Sequence, residues 1–329
     1  MSSVQFIKFP SLENTYRQKE IDQCLMIEQH YKEQGLTSNW IVTEKVHGAN
    51  YSFWVTSDEN EIKVQVAKRT SFIADDEKFF NHKPVLEKYR QSMIELYQHL
   101  ECDTLVIYGE LFGGNIQSGM SYPLEQDFVA FDVKVDGVAQ DKIGIFEILR
   151  SFDIPTSPVI GVFDTLQEAL EVNESFDSLL TRQDFNGDDK HKEAEGVVIE
   201  PNTPMYHSNG SRVYLKKKTK RFLEKSGKPN IKHKSVTVVS EQVNTMLGWS
   251  LVYLTESRFQ SVVSKIGEVS INNIGKVMGL MTQDIIEDLQ KDLEIDVKSH
   301  FTDKQDVKTF NKQLTKYVQD FIKPLLLKM

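Results

Sequence analysis

The sequence predicts an α+β protein, with a twisted antiparallel two-sheet core followed by a small all-helical carboxy-terminal domain. Three observations lead there. From Trp40 to Glu200, β-rich runs mix with helical stretches, without the regular strand-helix-strand alternation of a parallel sheet. The pattern breaks at Ser226-Gly227-Lys228-Pro229-Asn230, where Gly, Pro and Asn interrupt the periodicity. Beyond the break, apolar residues recur at helical spacing. The expected division is a first domain over 1–226, a linker over 227–234 and a helical domain over 235–329.

Each element has its own signal. Trp40–Val46, Tyr51–Thr56 and Ile62–Ala67 read as strands, the last two joined through the turn-forming Ser57-Asp58-Glu59-Asn60. Phe79–Leu100 is expected to be helical after Pro84, because Val85, Tyr89, Met93, Leu96 and Leu100 recur near one face. Leu105–Leu111, Phe128–Val133, Gly196–Ile199 and Arg212–Lys216 resume the strand pattern. Phe259–Val269, Thr282–Leu293 and Lys304–Leu327 have helical spacing, with Ile271–Gly275 as a helix-to-helix connection. There is no internal repeat, heptad array or low-complexity tract.

Composition narrows the function classes. With 40% hydrophobic and 26% charged residues the chain is ordinary globular material. No apolar run reaches the ~18 residues of a membrane span, and Met1–Pro10 lacks a secretory signal, so a cytoplasmic protein is expected. Cys24 and Cys102 are too few for a disulfide framework or a cysteine-rich zinc site. A net charge of −9 argues against a generic polyanion binder. Residues 212–234 are the exception, with ten Lys/Arg against the single acid Glu224.

Familiar phosphate and metal motifs are missing: no G-x-x-x-x-G-K-[ST] loop, no G-x-G-x-x-G fingerprint and no H-E-x-x-H helix. A nucleotide enzyme of this sequence must therefore hold phosphates with side chains. Lys45-Val46-His47-Gly48 closes one strand run before a sharp turn, and by itself such a string is usually a surface turn. Its weight comes from the pieces that follow in order at strand ends: Arg69, Glu110, Phe131-Asp132, Glu195-Gly196 and Lys216-Lys217-Lys218. A lysine nucleophile must be neutral, against a reference pKa of ~10.4, so nearby cations or desolvation must favour the free amine. Lys216 and Lys218, two apart on a strand, share a face and could do this while gripping a triphosphate. Glu110 and Glu195 would repel ATP unless they bind a divalent cation or sugar hydroxyls, and Phe131 could stack on a base.

This constellation resembles the covalent nucleotidyltransferases, and within them the RNA ligase 2 family, whose nucleophile signature is matched by Lys45-Val46-His47-Gly48-Ala49-Asn50. Further matches are Ala67-Lys68-Arg69-Thr70, Tyr108-Gly109-Glu110-Leu111-Phe112-Gly113, Asp127–Asp132, Glu193–Val198 and Arg212–Lys218. Ser264–Glu268 and Gly275–Leu280 are similar to that family's helical carboxy-terminal domain, and residues 134–192 are least similar.

The resemblance implies an ATP-grasp-like nucleotidyltransferase core and an ATP-dependent RNA ligase, a monomer acting on nicked duplex RNA with Mg²⁺ or Mn²⁺, the RNA lying along residues 212–234 and part of the helical domain over 235–329. It implies Lys45 as the adenylated nucleophile and Glu44 near adenine, with Phe131 and Val198 sandwiching the base. Arg69 and Glu110 would contact the ribose, and His47 and Asn50 would act near the phosphates or the RNA end. Glu195, with Glu110, would hold the metal, Lys216 and Lys218 would grip the AMP phosphate, and Asp132 would stand behind them. Lys217 is expected to meet solvent or RNA on the opposite face. A DNA ligase or capping enzyme fits less well, because a β-barrel usually follows their core and this tail reads as helical. A binder of RNA ends without catalysis would require none of Lys45, Glu195, Lys216 and Lys218.

Overall fold

The computed structural model describes residues 5–59, 61–114, 116–117, 119–227, 239–267, 269 and 273–326. The chain divides into two compact units, Met1–Thr219 and Lys220–Met329. In the first, the described elements in chain order are β1 (Glu13–Asn14), α1 (Gln18–Glu33), β2 (Trp40–Glu44), β3 (Ala49–Asp58), β4 (Glu61–Lys68), β5 (Ser71–Phe72), α2 (His82–Leu100) and β6 (Thr104–Gly113). They continue with β7 (Gln126–Val135), β8 (Val138–Ala139), α3 (Lys142–Ser151), β9 (Val159–Phe163), α4 (Leu166–Leu170), β10 (Gly196–Pro201) and β11 (Leu215–Lys218).

Two sheets form. One has the order β5-β4-β3-β6-β7-β8, the other β1-β11-β10-β2-β9. Alternation along β3 explains how the first is packed: Tyr51, Phe53 and Val55 face a core shared with Val85, Tyr89, Met93 and Leu96 of α2. On its other face Trp54 meets Phe9, Val106, Tyr108 and Tyr214. The second sheet buries Trp40, Val42, Val197, Ile199 and Leu215 against Leu166 and Ala169 of α4 and Cys24 of α1. Helix α1 is tied down by a buried acid, since Glu28 Oε1 accepts the Trp40 indole N–H at 2.8 Å and the Leu166 N–H at 3.1 Å.

Every pairing in both sheets is antiparallel except β1 with β11, which is parallel. The first strand run ends at Glu44 rather than Val46, which leaves Lys45 just beyond the ladder. Helix α2 begins at His82, two residues before Pro84 and not after it, so Pro84 falls in the first turn, where a missing N–H costs nothing. The run expected at Arg212–Lys216 pairs as a strand only from Leu215 and extends to Lys218. Arg212 bridges Tyr206 instead, and its side chain makes two hydrogen bonds with Asp132, at 2.9 and 2.8 Å.

The second unit holds α5 (Glu241–Ser250), α6 (Glu256–Ile266), α7 (Ile274–Leu293), α8 (Val297–His300) and α9 (Lys304–Leu326) around an apolar core that includes Met246, Phe259, Met281, Ile285, Phe310, Leu314 and Val318. Helix α6 starts and stops three residues earlier than its spacing predicts, ended by Gly267 at φ +88°. Helix α7 starts eight residues early, so Gly275 lies within it. The unit boundary at Thr219/Lys220 differs from the expected 226 because the intervening residues bond into the helices. Ser257 donates to the Arg221 carbonyl at 3.0 Å, buried Arg258 to that of Glu224 at 3.1 Å, and Lys225 pairs with Asp292. The expected linker, beyond Gly227, lies outside the described residues. No described helix is long and apolar enough to cross a membrane.

Candidate active site

Strand β10 sits between β2 and β11, and this order assembles the site. Val197 lies opposite Glu44, Gly196 lies opposite Lys218, and the Lys45 N–H donates to the Gly196 carbonyl at 2.9 Å. Residues just past β2, just before β10 and at the end of β11 are thereby brought to one spot. Two glycines permit the close approach. A Cβ on Gly196, at φ +140°, would stand 2.1 Å from the Lys217 carbonyl oxygen, and one on Gly48 would stand 2.2 Å from that of Leu111.

At that spot the buried Glu195 carboxylate collects three donors. Its Oε1 is 2.9 Å from Lys45 Nζ and 2.7 Å from Lys218 Nζ, and its Oε2 is 3.1 Å from His47 Nδ1. Burial alone would raise the Glu195 pKa, but Lys218, Lys45 and His47 overcome it and hold the carboxyl well below the usual range. Burial also lowers the His47 pKa against the pull of Glu195. A neutral ring facing an ionised carboxylate must carry its proton on Nδ1. The His47 backbone N–H donates to Tyr122 Oη at 3.1 Å.

Glu110 lies opposite Asn50 across the β3–β6 pair and accepts the Gly48 N–H. Burial, and then the charge of Glu195, push its carboxyl up to about 8 against the pull of Lys45 and Arg69. Arg69 donates to Ser11 Oγ at 3.2 Å. The Glu44 carboxylate is buried and takes the Ser178 O–H and, at 2.8 Å, the Leu179 N–H; its pKa is raised by burial. Phe131 and Val198, the expected walls for a base, belong to different sheets, Phe131 on β7 and Val198 on β10. The Phe131 ring meets that of Phe9 edge-on at 4.9 Å, and its carbonyl takes the Lys142 ammonium. Lys216 pairs in register with Val198.

The structure thus puts Lys45, His47, Glu195 and Lys218 in direct contact, with Glu110 and Arg69 within electrostatic reach. Lys217 points to the opposite face, where its partly exposed side chain is tied to the protein itself. Its Nζ donates to the carbonyls of Leu170 at 3.1 Å and Val172 at 2.8 Å and pairs with Glu174 at 3.1 Å. Asp132 is committed to Arg212, whose other side approaches Glu200 at 3.6 Å, while Glu200 also pairs with Lys142.

The residues that sequence reasoning missed are neighbours of the nucleophile's turn: Tyr122, Ser178, and Gln117, whose Nε2 donates to the Gly48 carbonyl at 3.0 Å. All three come from irregular segments, where no periodicity marks a contact. Among the described residues, no group of three or more His, Cys, Asp or Glu side chains could hold a metal alone. Glu195 and Glu110 are carboxylates of the kind that Mg²⁺ takes one or two of when substrate phosphates and water complete its shell.

A family model described as RNA ligase matches residues 38–218, and one described as T4 RNA ligase 2 C-terminal matches residues 237–320. RNA-editing ligase 2, mitochondrial, of Trypanosoma brucei brucei is 40% identical over 81 residues, 23% of this chain and 19% of that protein. Among solved structures, a Naegleria gruberi RNA ligase mutant with ATP and Mn aligns at 20% identity and a TM-score of 0.48, over 68% of this chain and 59% of that one. The same ligase with PPi aligns at 18% and 0.48, over 68% and 58%. The chain therefore spans less than two thirds of each of these relatives.

Proposed function

This chain belongs to the RNA ligase family, with a T4 RNA ligase 2 type carboxy-terminal region, and on that footing we propose that it uses ATP to join a 3′-OH RNA end to a 5′-phosphate end. The observation that carries the reading is the convergence of Lys45, Lys218 and His47 on one buried carboxylate, Glu195. In the first step Lys45 Nζ, as the free amine, attacks the α-phosphorus of ATP. A phosphoramidate forms, the bond to the β-phosphate oxygen breaks, and pyrophosphate leaves. In the second an RNA 5′-phosphate oxygen attacks the same phosphorus and returns the amine to Lys45. In the third the 3′-OH attacks the 5′-phosphate, closes the phosphodiester and releases AMP.

The residues divide this work. Before ATP binds, Glu195 neutralises Lys45 and Lys218. Lys216 and Lys218 would grip the phosphate oxygens and stabilise the charge that grows on them as the Lys45 amine attacks. Glu44, Phe131 and Val198 would receive adenine, and Arg69 and Glu110 the ribose. Asn50 and His47 would lie by the phosphates or the RNA end. A divalent cation, held by Glu195 and Glu110 together with the phosphates, would supply charge neutralisation for the leaving pyrophosphate. Sealing of nicks in duplex RNA is the proposed substrate preference.

The test is to mix the purified chain with ATP labelled on its α-phosphate and Mg²⁺, denature it, and look for label on the protein. A 5′-phosphorylated nicked RNA duplex should then discharge the label and yield a sealed strand, faster than single strands do. A folded chain that takes no label would overturn the lysyl-AMP mechanism.

A further inference from the structure

Lys142, the first residue of α3, is 3% exposed, and a lysine is almost never buried so far unless it is paired. Its ammonium joins the two sheets: it donates to the Phe131 carbonyl on β7 and to Glu200 Oε1 on β10. The start of α3 is itself anchored just past the end of β10. The Lys142 N–H donates to the Asn202 carbonyl at 3.0 Å, and the Ile143 N–H to Asn202 Oδ1 at 2.9 Å.

The two strands joined in this way carry the two walls proposed for the base. Val197 and Ile199 face the core of the second sheet, so Val198 and Glu200, two apart on β10, share the opposite face. A second tie runs beside the first, since Asp132 holds Arg212, whose other side approaches Glu200 at 3.6 Å. Lys142 and Arg212 thus balance Glu200 and Asp132 within one buried group. For stability alone, apolar side chains of similar volume often match or better such a group. What the charges add is a fixed spacing, because each partner must stay within hydrogen-bond reach of the next.

From this juxtaposition we infer that Lys142 is a positioning residue for ATP, a buried strut between β7 and β10 that holds Phe131 and Val198 at the separation an adenine ring needs. The inference rests on the proposed reading in which those two residues receive the base, and adds the residue that sets the gap between them. Dispersion contact is short-ranged, and a gap of ~0.5–1 Å forfeits roughly a quarter to a half of each contact. A flat ring between two walls loses on both faces when the walls part. The strut therefore acts on binding of the base and not on the chemistry at phosphorus.

Lys142→Met alone would leave Glu200 as a buried, unpaired acid and put the fold at risk. The test variant is therefore K142M/E200Q in the full-length chain, which removes both charges of the pair and leaves Asp132 matched by Arg212. The initial rate of self-labelling is measured against ATP concentration, together with its inhibition by adenosine and by pyrophosphate. The half-saturating ATP concentration and the inhibition constant of adenosine should each rise about tenfold, while the maximal labelling rate and inhibition by pyrophosphate change less than about threefold. Phe131→Ala should give the same pattern. Adding K142M/E200Q to it should weaken adenosine less than about twofold further, because the strut acts through the ring it holds. A half-saturating ATP concentration within about twofold of the parent, equal weakening of adenosine and pyrophosphate, or a further loss of about tenfold on top of Phe131→Ala would each overturn the inference. A parent chain that takes no label would count against the lysyl-AMP mechanism alone. Adenosine binding titrated by calorimetry would then decide the strut by the same loss of about tenfold, and a parent that binds no adenosine would overturn it.

Discussion

The cluster at Glu195 and the face of α9 both gather lysines, and they do so in opposite ways. In the β unit, Lys45 and Lys218 converge on one buried carboxylate that His47 also holds. On α9, Lys304, Lys308, Lys312 and Lys316 follow one another along an exposed face, and Asp320 takes the next place in the row. Buried charges interact strongly and hold fixed distances, so their arrangement serves chemistry at a point. Exposed charges are screened within ~10 Å and act nearly additively, which suits an extended polyanion. The net charge of −9 reports neither arrangement, because both depend on where charges lie and not on their sum.

The largest expected effect is at the nucleophile. Lys45→Ala should abolish covalent labelling by ATP, and Lys45→Arg should too, since a guanidinium stays protonated and is a poor nucleophile. Label retained by either folded variant would relocate the nucleophile. Next come the two lysines proposed to grip phosphate. Lys218→Ala and Lys216→Ala should each slow labelling by roughly a hundredfold, the cost of one preorganised interaction of ~3 kcal/mol. Ending the chain after Gly227 should leave self-labelling nearly intact while RNA affinity drops about tenfold or more. Equal losses in both would mean that the two kinds of lysine cluster do not work independently.

Glu110 gives a smaller and pH-dependent effect. Its folded carboxyl is pushed up to about 8 from an ordinary 4.5, chiefly by burial, so the folded chain holds that proton more tightly than the unfolded one. The resulting stabilisation is full below about pH 4.5 and is lost as the pH rises through about 8. Urea midpoints of Glu110→Gln and parent should therefore shift in the variant's favour between about pH 5 and 8.5. A constant difference would mean that Glu110 stays ionised throughout. Smallest in its effect on labelling is Lys217→Ala, which removes the ties to Leu170, Val172 and Glu174. It should cost stability by about 1–2 kcal/mol and change the labelling rate of folded protein less than about threefold. A hundredfold loss would put Lys217 in the phosphate site.

What was legible in the sequence followed local rules. The β3–β4 hairpin declared itself by period-two alternation on either side of a polar turn, and α9 by its apolar stripe. The order of Lys45, Glu195 and Lys218 at strand ends was visible too, as was the opposite orientation of Lys217. What Lys217 would meet was not, because its partners lie more than forty positions away, at and just past the end of α4. Helix α1 was missed since it buries only Cys24 and Glu28, one of them an acid, and leaves almost no apolar stripe to read. Strand β9 was missed because it is a five-residue edge strand, partly exposed along its length. Tyr122, Gln117 and Ser178 reach the site through long-range hydrogen bonds that no spacing rule encodes.

The place of β10 between β2 and β11 has a consequence for how such a chain can change. Adjacent strands stand ~4.8 Å apart whatever joins them, so the backbone gap between β2, which leads into Lys45, and β11, which carries Lys218, is two ladder spacings, fixed by backbone hydrogen bonds. The peptide between Lys45 and Glu195, and between Glu195 and Lys218, can lengthen, shorten or drift in sequence without moving those three groups apart. The distances among Lys45, Glu195 and Lys218 belong to the lattice of the sheet, and the loops between them are free to be rewritten.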